Sequence, residues 1–379
     1  MDTCAGPLDL AAKGLFTSFF SHITTGTLGG EDIIAKHSLP TEESEQVLLW
    51  EVSVALTMRS DAFAPRWIGR LICDDTPRVV FAMTRFSSDA FDWRTARLAV
   101  RMSDVRQIAR CVIREMRRMH ENGIAHMDIS LENILVQTNA DGDCIDAVIC
   151  DPGLSHALLP SAEFASSMTE EERAAVHVTA KRSRTMMRGT GWERSDDLDI
   201  QSLELQSPTT AEPDSADPAI GVPIEQNMEA RQVATIRSHL ERIRLSSLCA
   251  SIARDKLVKQ WYRPVTDVPI IKMVYQAPEI IRRERSIDPL ACDVWSFGVC
   301  MFALAFGRMP FNVASSSDHS FDTFTKDGRL RDVLRRAGGI PLHSANEDRI
   351  IDMIQKCLRI DPASRLTVHE LCTHPFAYV

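Results

Sequence analysis

The sequence predicts an α+β fold in which a small sheet-rich part precedes a larger helical part. Three observations predict it: short alternating apolar runs over residues 1–86, helical periodicity from Ser103 onward, and helix-rich sequence over residues 276–379. The chain has 379 residues, 44% hydrophobic and 25% charged, which excludes wholly disordered and disulfide-scaffold proteins. Its net charge of −9 is not typical of a general nucleic-acid or anionic-membrane binder, which would carry a basic surplus, so we expect neither partner.

The first 86 residues are predicted to form a small sheet with one helix. Apolar runs at residues 14–20, 32–36 and 79–83 are typical of short strands, and a helical pattern lies between the second and third runs. We therefore expect a helix packed under a sheet in this part of the chain.

The clearest helix is predicted to begin near Ser103 and to end before Gly123. Ser103 is suited to the N-cap position and Gly123 to the C-terminal stop. Apolar residues recur at spacings of three and four, namely Val105, Ile108, Ala109, Val112, Ile113, Met116 and Met119.

A hairpin is predicted directly after this helix. Strand-like runs at residues 133–136 and 147–150 flank Asn139-Ala-Asp-Gly-Asp143, whose residue types favour a tight turn. The same turn is not a calcium-binding loop, because the sixth and twelfth positions counted from Asn139 are Cys144 and Cys150 rather than glycine and glutamate.

A long segment in the middle of the chain has a different composition. Residues 193–229 hold ten acidic residues against one basic residue, Arg194, with prolines and serines interleaved. Such a segment buries too little apolar surface to offset chain entropy, so we expect it to be largely disordered. A helical pattern returns over residues 225–257.

Two features that the sequence lacks bear on the localisation of the protein. The N-terminus has no basic stretch followed by an apolar run, and the longest apolar run, residues 297–306, is too short to span a bilayer. The ten cysteines are scattered without metal-binding spacing and are expected to be reduced thiols. We expect a cytoplasmic protein, with a nuclear location as the alternative.

The motifs of interest follow the predicted helix. Residues 126–133 read H-M-D-I-S-L-E-N, and Asp151 opens the sequence D-P-G. Three further motifs follow in order: A-P-E ending at Glu279, D-V-W-S-F-G beginning at Asp293, and D-P-A-S-R ending at Arg365. This ordered set resembles the eukaryotic protein kinases, whose catalytic loop reads H-R-D-L-K-x-x-N and whose metal motif is D-F-G.

The resemblance implies a two-lobed protein-kinase-like fold, with a small β-rich N-lobe over residues 1–86 and a larger helical C-lobe over residues 87–379. The separation between Asp151 and Glu279 is much longer than the family requires, which places an insertion at about 160–268 in the activation segment. We expect this insertion to range from disordered to partly helical, and a regulatory partner could dock on it; a solvated spacer is the alternative.

The resemblance also assigns the chemistry. Asp128 matches the catalytic base, which accepts or orients the substrate hydroxyl proton, while Asn133 and Asp151 match the hard oxygen ligands of Mg²⁺. Alternatively, each of these residues only caps a loop. Glu279 and Arg365 match a buried structural ion pair, and Asp293 matches the residue that bonds the catalytic-loop backbone.

The ATP-binding residues are expected mainly in the N-lobe. Ile34-Ala35-Lys36 resembles V-A-I-K, whose lysine contacts the α- and β-phosphates. Its expected partner is Glu51, which lies in a helical pattern, with Glu42, Glu43 and Glu45 as rival partners.

The remaining nucleotide contacts follow from the same resemblance. The phosphate-covering loop keeps one glycine, Gly14, so we expect weaker nucleotide affinity. Adenine is expected between Ala35 above and Leu135 below, and the hinge is expected from Met83 to Phe86.

Two departures from the family pattern remove regulatory and packing groups. Met127 replaces the arginine that pairs with a phosphorylated activation loop, so that switch is missing. Pro152 replaces the phenylalanine that packs beneath the Lys–Glu helix.

A third departure concerns the transferring phosphate. Ser130 stands where serine/threonine kinases keep a lysine, and Lys272 stands where they keep the threonine that bonds that lysine. We hypothesise that Lys272 restores the charge lost at Ser130. Alternatively, Lys272 is an exposed loop lysine.

The function implied is transfer of the γ-phosphate of ATP, with Mg²⁺, to serine or threonine of protein substrates. The sequence S-L-E-N in the catalytic loop resembles that of serine/threonine kinases rather than tyrosine kinases. The alternative from a different class is a pseudokinase, a binding or scaffold module without useful transfer. A kinase-like fold acting on small molecules is a third interpretation, which the intact A-P-E and D-V-W segments oppose.

Overall fold

The computed structural model describes most of the chain outside the expected insertion. The described residues are 8–17, 21–58, 67–73, 76–158, 270–327 and 345–378, with isolated positions at 166, 168–170, 173–174, 265, 268, 330 and 334. The acidic segment at 193–229 and the helical pattern at 225–257 both lie outside the described residues.

In its described residues, the first lobe is a five-stranded antiparallel sheet with one helix. The helix, α1, spans Glu42–Met58. The strands are β1 Leu8–Thr17, β2 Ser21–Leu28, β3 Glu31–Ser38, β4 Trp67–Cys73 and β5 Thr76–Thr84. They lie in the order β1-β2-β3-β5-β4, which confirms a sheet-rich first lobe with a helix between its strands.

Two of these strands are missing from the sequence prediction. Apolar residues in β2 are diluted by three threonines and a glycine, and Gly69 and Arg70 interrupt the apolar run of β4. Backbone pairing with neighbouring strands forms both strands although neither has a clear two-residue alternation.

The second lobe is mainly helical. Its helices are α2 Ala90–Thr95, α3 Met102–Glu121, α4 Pro278–Ile281, α5 Pro289–Phe306, α6 His319–Asp327, α7 Ala345–Cys357 and α8 Val368–Cys372. Its short strands are β6 Ser88–Asp89, β7 Ile124–Ala125, β8 Ile134–Thr138, β9 Cys144–Ile149 and β10 His156–Ala157. Single 3₁₀ turns lie at Leu131–Asn133, Pro152–Leu154 and Pro362–Ser364.

The predicted long helix and hairpin are both confirmed, with one error at a helix end. Helix α3 begins one residue before Ser103, and Arg101, in extended conformation, is its N-cap residue without a side-chain cap bond. Gly123 ends the helix as predicted, with a positive φ of 66°. Strands β8 and β9 pair antiparallel around the turn, where the Asn139 side chain accepts hydrogen bonds from the backbone of Asp141 and Asp143.

Helix α5 forms the centre of the second lobe. It spans 18 residues, so it is longer than its uninterrupted apolar run, and it is long and apolar enough to cross a membrane. However, 94% of it is buried inside the structure, as expected for a core helix. Asp288 caps its first turn, and Gly307, with φ 70°, ends it. Trp295, Phe297 and Phe302 on this helix are fully buried in the main core.

Candidate active site

Lys36 lies between two carboxylates at the junction of the lobes. Its Nζ atom lies 2.6 Å from Glu51 Oε2 on α1 and 2.9 Å from Asp151 Oδ1, at the end of the hairpin. Burial acts to lower the pKa of the Lys36 ammonium, but Asp151 and Glu51 outweigh burial and hold that pKa well above its usual range. Lys36 is therefore a fixed positive charge, and Glu51 rather than a rival glutamate is its partner on the helix.

The expectation that Ala35 lines the nucleotide pocket is wrong. Successive side chains of a strand point to opposite faces of the sheet, so Ala35 faces away from the side chains of Ile34 and Lys36. Ala35 is fully buried on the outer face beside Ile33 and Val80. Ile34, two positions before the lysine, is the residue on the cleft face; the error was one position in the alignment of V-A-I-K.

The other predicted pocket residues do come together. Met83 on β5 pairs with Ile34 across the sheet. Phe86 and Leu135 pack in the same cluster as Met83. Cys150 packs in the same cluster, although the sequence patterns did not predict it as a pocket residue. Its position directly before Asp151 is the sequence feature that indicates it. Burial raises the pKa of the Cys150 thiol, so the thiol is neutral at ordinary pH.

Gly14 lies on β1, which β2 separates from β3 in the sheet. It lies within β1 and pairs with Thr24 of β2, beside irregularities in the strand register. Residues 18–20, which connect β1 to β2, lie outside the described residues. The described backbone therefore shows Gly14 in a distorted strand rather than in a turn.

The catalytic loop is held by Asp293 of α5. One oxygen, Asp293 Oδ2, accepts the backbone N–H of His126 at 2.7 Å, and Asp293 Oδ1 accepts the N–H of Met127 at 2.8 Å. His120 Nε2 lies 3.0 Å from the same carboxylate. These bonds fix Met127 in a left-handed conformation, with φ 65°, directly before Asp128.

Asp128 and Asn133 are bound to each other within this loop. The amide nitrogen of Asn133 donates to the backbone oxygen and to the Oδ2 atom of Asp128, both at 2.8 Å. Burial raises the pKa of the Asp128 carboxyl, although Lys272 and His126 act in the opposite direction. Because its nitrogen is used in these bonds, Asn133 has its amide oxygen left to offer a ligand.

Lys272 reaches the catalytic loop from the far side of the insertion. Its Nζ atom donates to Ser130 Oγ at 2.8 Å and lies 3.2 Å from Asp128 Oδ2. The lysine side chain is 32% exposed, whereas Ser130 is fully buried. This geometry places the Lys272 ammonium beside Ser130, the position at which the family resemblance implies a lysine. Lys272 makes two contacts with the catalytic loop, so it is not an unattached loop lysine.

The residues present fit a Mg²⁺ ion. Burial acts to raise the pKa of Asp151, but Lys36 outweighs it and holds the pKa below its usual range, so the carboxylate is ionised. The Asp151 side chain is 50% exposed, which leaves it open to the cleft. An ionised carboxylate and an amide oxygen are the hard donors that Mg²⁺ accepts.

The two other departures have distinct structural outcomes. Met127 is 7% exposed and packs into the main core of the second lobe. Pro152 opens the 3₁₀ turn after Asp151, which has a left-handed φ of 57°. Aspartate adopts this conformation more readily than most residues. With Pro152 in place, the Asp151 carboxylate still accepts a hydrogen bond from Lys36.

Glu279 and Arg365 form a buried, bidentate ion pair. The two guanidinium nitrogens of Arg365 donate to the two oxygens of Glu279 at 2.6 and 2.7 Å. Both residues are 1% exposed, and the guanidinium lies 4.9 Å from the ring centroid of Trp295. The pair joins α4 to the C-terminal helices.

A two-lobed fold with a lysine, two carboxylates, an amide and a catalytic-loop aspartate around one cleft defines a phosphotransferase-like protein. A family profile described as the protein kinase domain matches residues 34–181 and 256–377. The match covers more than half of the chain, and the chain belongs to the protein kinase family.

Curated relatives match shorter parts of the chain. It is similar to the probable serine/threonine-protein kinase KCC4 of Saccharomyces cerevisiae, 32% identical over 105 residues, which are 27% of this chain and 9% of that protein. The mitogen-activated protein kinase kinase MST7 of Pyricularia oryzae is 33% identical over 112 residues, 28% of this chain and 26% of that protein. Tribbles homolog 1 of Mus musculus is 34% identical over 106 residues, 28% of this chain and 25% of that protein. The matches thus span about a quarter or less of each relative's length.

Proposed function

We propose that the chain is an active serine/threonine protein kinase that transfers the γ-phosphate of ATP to protein substrates. The observation that carries the proposal is Lys36, whose ammonium contacts both Glu51 and Asp151. A buried lysine with two carboxylates forms a fixed cation for the α- and β-phosphates of ATP.

Asp128 is proposed as the group that accepts the hydroxyl proton. Its raised pKa favours proton acceptance, and its bonds to Asn133 fix the carboxylate before substrate binds. The nearby Lys272 supplies the positive charge that the transferring phosphoryl group requires.

Asn133 and Asp151 would hold Mg²⁺. The ion would neutralise charge on the β- and γ-phosphates when bound. Ile34, Met83, Phe86 and Leu135 would contact adenine, and these residues exclude water from one side of the cleft.

Serine and threonine are favoured as acceptors. The S-L-E-N sequence of the catalytic loop supports this class, and the similar protein KCC4 is named a probable serine/threonine-protein kinase. Protein rather than small-molecule substrates are supported by the Glu279–Arg365 pair, which anchors the segment that carries Lys272.

The test is transfer from labelled ATP with Mg²⁺ to a generic basic protein substrate. The wild-type chain is compared with Asp128→Asn, which keeps the size of the side chain and removes its charge. We expect phosphoserine and phosphothreonine in the product, and a loss of at least about a hundredfold in the variant. Equal incorporation by both proteins would contradict the proposal.

A second candidate function is a binding module with the same fold and no useful transfer. The single glycine of the phosphate loop, Ser130 and Pro152 favour it. No transfer by the wild-type chain, together with no thermal stabilisation by ATP and Mg²⁺, would support this candidate instead.

A further inference from the structure

A buried hydrogen bond joins helix α1 to the segment after Asp151. The indole N–H of Trp50 donates to Ser155 Oγ at 2.9 Å, across 105 positions of sequence. Both side chains belong to fully buried residues, so neither group has water as an alternative partner.

The bond lies next to the charged residues of the cleft on both sides. On the helix, Trp50 precedes Glu51, which binds Lys36. On the other side, Ser155 follows the 3₁₀ turn Pro152–Leu154, which itself follows Asp151. A shift of either element would therefore move one of the two carboxylates that Lys36 contacts.

Close approach of the two elements accompanies the hydrogen bond. A Cβ atom added to Gly153 would lie 3.5 Å from Val47 on α1, so the space between the turn and the helix is little wider than a methyl group. Val47, Trp50 and Val54 share one face of α1 and are all buried, while Leu48, Val52 and Ala55 pack into the sheet cluster. The helix thus has a separate face for the turn, on which the tryptophan makes the polar contact.

We propose that Trp50 and Ser155 are positioning residues that lock α1 against the turn and so hold Glu51 and Asp151 in register on Lys36. Pro152 provides no aromatic side chain for this contact, and the indole of Trp50 supplies one from the helix side. This inference rests on the proposed function, because the register matters for transfer only if ATP binds Lys36.

The test uses Trp50→Phe, Ser155→Ala and the double variant. The matched control is Trp93→Phe, because the buried indole nitrogen of Trp93 has no hydrogen-bond partner among the described residues. Amide hydrogen exchange is measured in the full chain for residues 42–58 and 289–306, and KM for ATP and kcat are measured alongside.

We expect each single variant to speed exchange in residues 42–58 by about fivefold to tenfold, the factor that one ordinary hydrogen bond represents. Exchange in residues 289–306 should stay unchanged, and KM for ATP should rise about tenfold. The double variant should resemble either single variant, because both remove the same contact.

Two outcomes would overturn the inference. In the first, Trp50→Phe and Ser155→Ala differ from wild type no more than Trp93→Phe does. In the second, exchange accelerates equally in both segments, which would mean a global loss of stability rather than a loss of register. Hydrogen exchange needs no catalysis, so it decides the inference even if the wild-type chain transfers no phosphate and the proposed function fails.

Discussion

Lys272 Nζ lies 2.8 Å from Ser130 Oγ, although the two residues are 142 positions apart and belong to different segments of the cleft. Compared with the family pattern, the two residue types are exchanged. The cation comes from the segment before A-P-E, and the hydroxyl comes from the catalytic loop. Lys272 also lies 3.2 Å from Asp128, so one ammonium contacts both the serine and the proposed base.

Replacing Lys272 with methionine should lower kcat far more than it raises KM for ATP. The side chain keeps its length and loses its charge, so the loss is on the order of a hundredfold, typical of one electrostatic stabiliser of the reacting group. Steady-state kinetics measure it. Lys356→Met is the control, because Lys356 pairs with Asp352 on an exposed surface of α7. An unchanged kcat in Lys272→Met would show that its ammonium plays no part in transfer.

Ile34 and Ala35 should respond differently to truncation. Ile34→Ala removes apolar surface from the cleft face and should raise KM for ATP about tenfold. Ala35→Gly should leave KM unchanged and lower the free energy of unfolding by about 1 kcal/mol, the cost of glycine in a strand. Kinetics and urea denaturation of both variants check this; the reverse pattern would restore Ala35 to the pocket.

Removing one partner of the Glu279–Arg365 pair should destabilise the chain strongly. Glu279→Gln leaves the buried guanidinium without a counter-charge, so we expect a loss of about 3–5 kcal/mol in the free energy of unfolding. Glu284→Gln, which breaks an exposed pair with Arg282, should cost less than about 1 kcal/mol. Similar denaturation midpoints for the two variants would contradict the buried pair.

Stability should fall in mild acid because of His37. Burial, with smaller contributions from His22 and Arg78, lowers the pKa of His37 to about 4. The unfolded state takes up this proton below pH of about 6.5, so the stabilisation is complete above that pH and is lost as pH falls towards 4. Thr24 bonds the ring at 2.8 Å in the folded state.

The comparison of wild type with His37→Gln isolates this contribution. Urea denaturation at pH 7.5 and at pH 5 should show a larger loss on acidification in the wild type. An equal loss in both proteins would mean that His37 does not titrate in this range.

The sequence was sufficient for those features that depend on local pattern. Helix α3, the β8–β9 hairpin and the order of the motifs all follow from periodicity, turn residues and spacing. The spacing of the motifs also predicts that Lys36, Glu51 and Asp151 belong to one site, and in the structure Lys36 contacts both carboxylates. Their roles in transfer stay predictions.

Features that depend on long-range contact or on exact register could not be predicted in this way. Ala35 was assigned to the wrong face because an error of one residue inverts a strand. Strands β2 and β4 form through hydrogen bonds to neighbouring strands, because their own sequences have no clear alternation of apolar and polar residues. The Trp50–Ser155 bond joins two residues that no motif connects, so only the folded chain reveals it.

The most direct test of the account is the reciprocal exchange at positions 130 and 272. We would measure kcat for wild type, Ser130→Lys, Lys272→Thr and the double variant, with Asp128→Asn as the inactive reference. The account predicts that Lys272→Thr loses on the order of a hundredfold and that the double variant recovers to within about tenfold of wild type. If Lys272→Thr keeps the wild-type kcat while Asp128→Asn abolishes transfer, the exchange of the cation between the two segments is contradicted.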